Sequence, residues 1–139
     1  MTTISTTHAR PKVLHILLWI AQVIVAGMFM MGGFMKTFMP ITELSAIMPW
    51  AKDIPLLTRF IGISELLGAL GLILPAALRI APRLTVWAAY GLTLIMVLAL
   101  LFHINRGELS ALPTNIVLGL VSSFIAWGRS TKAIIHQRA

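Results

Sequence analysis

RFIGISELLGALGLILP, residues 59–75, decides the fold. Fifteen of its seventeen residues suit a lipid environment, and the exceptions are Arg59 at its edge and Glu65 inside it. A charge at the bilayer centre costs about 2.5–3.5 kcal/mol on insertion scales. The run is therefore the heart of a membrane span, and its carboxylate needs a partner or a proton. The rest of the chain fits the same solvent. Of 139 residues, 58% are hydrophobic and 11% charged, against about 25% charged in an ordinary soluble domain. A surface so poor in charge faces lipid, and the length suits a single membrane domain, residues 1–139.

A bilayer crossing needs about 20 apolar residues of helix. Four spans are predicted, at about 13–35, 57–78, 84–104 and 112–127. They make an all-α, integral membrane, up-and-down four-helix bundle. The breaks have local causes: Pro40, Pro49 and Pro55 after the first span, Arg79, Pro82 and Arg83 after the second, and Asn105, Arg106 and Gly107 after the third. Pro113 suits the first turn of the fourth. Pro75, near the end of span two, removes one backbone donor that a neighbouring helix or a short 3₁₀ turn must make good. The first span carries a basic flank, but its apolar core exceeds that of a cleaved signal peptide and no small-x-small site closes it.

Seven Lys and Arg residues fall on the side of the two tails and the 79–83 turn, and four (Lys36, Lys52, Arg59, Arg106) on the other. The positive-inside rule then places both termini in the cytoplasm. The outer loop, 37–56, contains PITELSAIMPW (40–50), which reads either as a short interfacial helix over the outer mouth or as an ordinary ordered loop. The tail STKAIIHQRA is expected to continue span four as a frayed basic turn, and MTTISTT to be disordered.

On a helix, the neighbours of Glu65 on its own face are Ile61, Gly62, Gly68 and Ala69, three of them small, which lets another helix approach closely. Span one offers a matching stripe of Gln22, Ala26, Phe29, Gly33 and Lys36. Lys36 follows Gly32 and Gly33, so it too is a charge set beside small residues. Its long side chain can bend inward by about a turn to meet Glu65. His103 ends span three and Asn115 opens span four on the same side. Lys36, Glu65, His103, Gln22 and Asn115 are thus the candidate ligand-binding or ion-pairing residues, converging on the outer half of an otherwise apolar bundle. The Lys36–Glu65 pair reads as a structural lock or as a ligand or proton site. His103 is an interface or pocket histidine, and Gln22 a helix-to-helix hydrogen bonder.

Met28, Met31, Met35 and Met39 form a helical stripe. Thioethers can hold Cu(I), but flexible packing is the plainer reading, and no metal site is expected. The absence of cysteine excludes disulfides, thiolate metal sites and a CxxC relay. Trp50, Trp87 and Trp127 read as interfacial anchors, and Trp19 lies deep for that role. No nucleotide loop or nucleophile–base pair is present, so the chain is expected to have no catalytic residues and no catalytic activity of its own. The net charge of +7 lies between apolar runs rather than along one face, which argues against nucleic acid as a partner.

GGFMKTF (32–38), IGISELLGALGLILP (61–75), LTLIMVLALLFH (92–103) and PTNIVLGL (113–120) together resemble the DoxX-like family of small four-helix membrane proteins. The most specific part is Gly-x-x-Glu-x-x-Gly-Ala at 62–69 with Gly-x-x-Lys at 33–36. The resemblance implies a bacterial inner (plasma) membrane protein whose family polar residues fall at Lys36, Glu65 and, less securely, His103. It further implies a link to quinone-dependent oxidoreductases or redox stress, with quinone as the ligand class. The expected partners are the lipid bilayer, a membrane or redox protein, or further copies of the chain. Lacking cysteine, this chain cannot perform the thiol chemistry sometimes proposed around the family. A proton-linked transporter and a purely structural membrane partner are the rival readings.

Overall fold

The computed structural model describes residues 10–138. The expected disorder of residues 1–7 lies outside them. The described residues are helical, with no strand among them. Four helices are long and apolar enough to cross a membrane. Helix α1 spans Arg10–Phe38, and a short α2 spans Ile41–Ile47. Helix α3 runs Pro55–Leu78, α4 Arg83–Arg106 and α5 Leu112–Trp127. Helix α1 extends three residues beyond the expected span at each end, α3 starts two residues early and ends where expected, and α4 starts one residue early and ends two late. Consecutive spans pack as neighbours and α5 closes back onto α1, which is the expected up-and-down bundle. The start of α1, the 79–82 turn and the segment after α5 share one end, called terminal below, and the loops after α1 and α4 share the distal end.

Each span turns one narrow stripe inward at spacings of three and four. In α3 the stripe is Thr58, Gly62, Glu65, Ala69, Leu72 and Ala76. In α4 it is Thr85, Ala89, Leu92, Met96 and His103. The core joins these to Leu18, Val25, Ala26 and Phe29 of α1 and to Leu118, Ile125 and Ala126 of α5. The other faces expose Ile16, Val23, Leu67, Leu94 and Leu120, among many similar side chains. A soluble protein rarely leaves apolar surface so continuous, and in a bilayer it meets acyl chains at no cost.

Small residues set how closely the helices approach. A Cβ on Gly62 would lie 2.9 Å from the Gly33 carbonyl oxygen and 2.8 Å from Lys36 Cβ. One on Gly33 would lie 2.8 Å from the Gly62 carbonyl oxygen. The backbones of α1 and α3 therefore touch at this level. Gly68 makes room for Leu92 of α4, and Gly128 for Leu18 of α1.

The outer loop is a helix rather than an irregular segment. After α2, a 3₁₀ turn at Pro49–Lys52 brings Trp50 and Ala51 inward, where they join Leu44 against Met35, Met39 and Phe102. Trp50 is thus a buried cap on the distal end and not the interfacial anchor expected of it. Met28 and Met31 face outward while Met35 and Met39 pack beneath this cap, so the methionine stripe is divided between lipid and core. Beyond α5 the helix widens into one π-type turn, Gly128–Lys132, closed by Ala133 N–H donating to the Gly128 carbonyl at 2.7 Å. The tail then leaves helical geometry, and Arg138 N–H donates to the Arg79 carbonyl at 3.0 Å. The expected continuation of span four therefore lasts only that one turn.

Candidate functional site

Lys36 and Glu65 meet across the α1–α3 seam. Lys36 Nζ lies 2.9 Å from Glu65 Oε1 and 2.7 Å from Oε2. Glu65 is placed by the inward stripe of α3 and is 3% exposed. Lys36 starts beside Gly62, three residues shallower, and bends inward along the glycine-lined seam. Its own carbonyl accepts a 2.7 Å hydrogen bond from Arg59 Nη1. That cation at the C-terminal end of α1 satisfies one of the carbonyls a helix end leaves free and favours the helix dipole. An ammonium has three N–H donors, and the carboxylate can occupy two of them.

Gly32 is the opening to this pair. A Cβ built there would sit 3.5 Å from Lys36 Nζ and 3.7 Å from Glu65 Oε2, in ordinary contact with both. Any larger side chain at residue 32 would cover the pair. With glycine, no side chain of residue 32 covers the charged atoms, and Met28 and Met31 of the same helix face outward.

The other candidate residues divide among different places. His103 Nδ1 lies 2.7 Å from Glu108 Oε2, so Nδ1 carries the proton and donates to the carboxylate. Arg106 Nε donates to Glu108 Oε1 at 2.7 Å and Arg106 Nη2 to Asp53 Oδ2 at 3.2 Å. Trp50 packs edge-on to His103, ring centroids 6.0 Å apart. This second distal cluster ties the cap to the α4–α5 turn. Arg106 and His103 hold the Glu108 carboxyl below its ordinary range by hydrogen bonding to its charged form. Asn115 buries its Nδ2 with no partner among the described residues.

Gln22 does not join the distal groups. Its Nε2 donates to the Leu72 carbonyl at 2.6 Å, and its Oε1 accepts from Arg129 Nε at 2.6 Å. The bond to Leu72 comes one residue after Gly71, whose carbonyl loses its helical partner because Pro75 has no N–H. A neighbouring helix thus supplies a donor where α3 is weakened. Arg129, 3% exposed, also places Nη1 2.9 Å from His15 Nδ1 and stacks over Trp19 at 5.3 Å. Trp19 Nε1 lies 3.1 Å from His15 Nε2. Both neighbours of the imidazole are donors only, and a neutral ring offers one acceptor, so only one contact is a hydrogen bond in either tautomer. The expectation that polar groups gather in the outer half is therefore corrected: a second buried polar cluster fills the terminal end. The signal in the sequence was the spacing Leu118, Ser122, Ile125, Arg129, which keeps Arg129 on the inward stripe of α5.

The DoxX-like family matches over residues 20–125. The chain belongs to the DoxX-like family. The match covers α3 and α4 whole and most of α1 and α5, and so takes in the Lys36–Glu65 pair and Gly32. No curated protein and no solved structure matches it. This DoxX-like chain is a multi-pass membrane protein by its four apolar helices. Among its described residues no group of three or more His, Asp or Glu side chains is arranged to hold a metal ion.

Proposed function

We propose that this DoxX-like protein is a non-catalytic membrane subunit that binds a lipophilic molecule with a polar head. A quinone is the leading class, held on behalf of an oxidoreductase or redox-stress system. The observation that carries the reading is the Gly32 opening. It leaves an ammonium with an N–H to spare in contact range of a group approaching from the lipid side, at a depth where only a lipophile arrives. Lys36 would donate to a ligand carbonyl, and Glu65 would hold Lys36 in position. Such a site has the usual character of apolar walls with few polar groups. The quinone rests on family analogy.

A second reading has one observation in its favour. Neither the cleft beside Thr85 and Arg129 nor the one beside Met28 and Pro113 is lined by Lys36 or Glu65, and the two side chains bond each other. In that reading the pair only locks α1 to α3, and the protein works by docking a membrane partner. The test is to purify wild type and Glu65→Gln in native nanodiscs and identify bound small molecules by mass spectrometry. A quinone or similar lipophile lost from a folded variant supports the ligand site. Its absence from both, with a variant that is merely less stable, supports the lock.

We further propose that both termini are cytoplasmic and that the membrane is a bacterial inner membrane. All four acidic side chains lie at the distal side of the sequence's spans together with four basic ones. The whole net charge of +7 therefore belongs to the terminal end, in keeping with a cytoplasmic face.

A further inference from the structure

Among the described residues, the terminal end holds a buried cation with no counter-charge. Arg129 gives Nε to Gln22 and, at 3.3 Å, Nη1 to the Ala133 carbonyl, and Nη1 also lies 2.9 Å from His15 Nδ1. None of these is a carboxylate, and the chain's four acidic side chains, Glu43, Asp53, Glu65 and Glu108, all lie toward the opposite end. Arg129 Nη2 is buried and has no hydrogen-bond partner among the described residues, and the same holds for Thr85 Oγ1. Both residues are more than nine-tenths buried. A buried guanidinium without a counter-charge is costly to the fold unless something outside the chain neutralises it.

Both residues line one cleft of about 280 Å³, between the first turns of α4 and the turn that follows α5. Arg83 stands exposed at its rim, in the first turn of α4, where the helix dipole adds positive potential. Apart from Ser130, the remaining wall is apolar and aromatic, with Trp87, Tyr90 and Ile134. Trp and Tyr at a span end mark headgroup depth. The cleft thus offers a planar fork of donors, a hydroxyl, a second cation and a greasy flank. A tetrahedral oxyanion that carries an alkyl tail matches all four features. A neutral lipophile would leave Arg129 unpaired.

We propose that this cleft is an oxyanion site, with Arg129 as its buried cation, that takes the phosphate of an anionic lipid headgroup. It is separate from the distal Lys36–Glu65 site and does not depend on what binds there. Arg129 Nη2 donates to a phosphate oxygen, Thr85 Oγ1 donates to a second, and Arg83 approaches from the rim. The lipid chains lie along Trp87 and Ile134.

The test uses the full chain, delipidated in mild detergent. Phosphatidylglycerol and phosphatidylcholine are titrated in native mass spectrometry, and inorganic phosphate and glycerol phosphate are titrated against thermal stability. Wild type is expected to prefer phosphatidylglycerol by about tenfold, because its phosphate charge is not offset within the headgroup, whereas the choline cation of phosphatidylcholine meets Arg129 and Arg83 with like charge. Arg129→Gln is expected to lose the preference, and Thr85→Val to reduce it. Because Arg129→Gln also disturbs the core, Arg83→Gln serves as the second variant. It changes only an exposed side chain and is expected to weaken phosphatidylglycerol with unchanged melting. Stabilisation by glycerol phosphate or inorganic phosphate, lost in Arg83→Gln and without lipid preference, would support the oxyanion site and make its occupant a soluble phosphate. Equal binding of the two lipids by wild type with no response to phosphate, or a preference that survives Arg129→Gln in folded protein, would overturn the site.

Discussion

At the scale of single residues, the contrast between neighbouring glycines is the sharpest consequence of the seam. Gly62→Ala drives a methyl against the Gly33 carbonyl and Lys36 Cβ, so α1 and α3 must separate, at a cost of about 1–3 kcal/mol. Gly32→Ala meets only ordinary contacts and gains up to about 1 kcal/mol of helix propensity. Melting temperatures of the two variants should therefore move in opposite directions. For the pair itself, Lys36→Met or Glu65→Gln alone strands one buried charge or its partner and costs about 3–5 kcal/mol, whereas Lys36→Met with Glu65→Leu recovers most of the loss. Equal losses in the single and double variants would remove the ion pair as the reason. The pair was legible in the sequence because charge beside small residues at helical spacing has few other meanings in a membrane. Gln22's partner was not legible. Nothing local to residue 22 says whether an amide turns toward the distal end or toward Arg129, more than a hundred positions away.

At the scale of elements, α2 and the turn after it act as a lid of packed side chains on the distal end. Trp50→Ala empties the space between Phe102, His103 and Leu44 and should cost about 3–5 kcal/mol, with the largest rise in hydrogen exchange across residues 41–54. A change confined to the midspan helices would contradict the cap. The sequence left this segment open between helix and loop because the eight residues between Pro40 and Pro49 are too few for periodicity to decide. Only contact with Met35, Met39 and Phe102 fixes Trp50 inward, and that contact is tertiary. The spans themselves were plain, since apolar runs bounded by Pro, Gly and basic residues specify both their number and their order. The π-type turn at 128–132 was missed because basic residues there look like an exposed tail. The inward stripe of α5 nevertheless continues through Arg129.

At the scale of the whole molecule, charge is segregated along the bundle axis. The absence of cysteine makes this simple to test: Lys52→Cys and His136→Cys give single labels at opposite ends. A membrane-impermeant thiol reagent should reach residue 52 in intact cells and residue 136 only after the cytoplasmic face is opened. Labelling in the reverse pattern would invert the proposed orientation. Acid should act mainly through the distal turn. Glu108 is held below its ordinary value of 4.5 in the folded protein by Arg106 and His103. Its contribution to stability is therefore full above that value and lost as pH falls through the lower folded value. The melting difference between wild type and Glu108→Gln should be present at about pH 7 and vanish on acidification below about pH 4.5. A difference that grows with acid would contradict the assignment.

The central claim is that Gly32 opens the Lys36–Glu65 pair to a lipophilic ligand. Its most direct test is to compare the small molecules retained by wild type and Gly32→Val in native nanodiscs, by mass spectrometry, at matched thermal stability. Valine leaves the ion pair in place and covers it from the lipid side. The account predicts that a quinone or similar lipophile accompanies wild type and is lost, or reduced about tenfold or more, in the variant. Equal retention of the same molecule by both would show that the ligand does not reach the pair through residue 32, and the pair would then stand as a lock between α1 and α3.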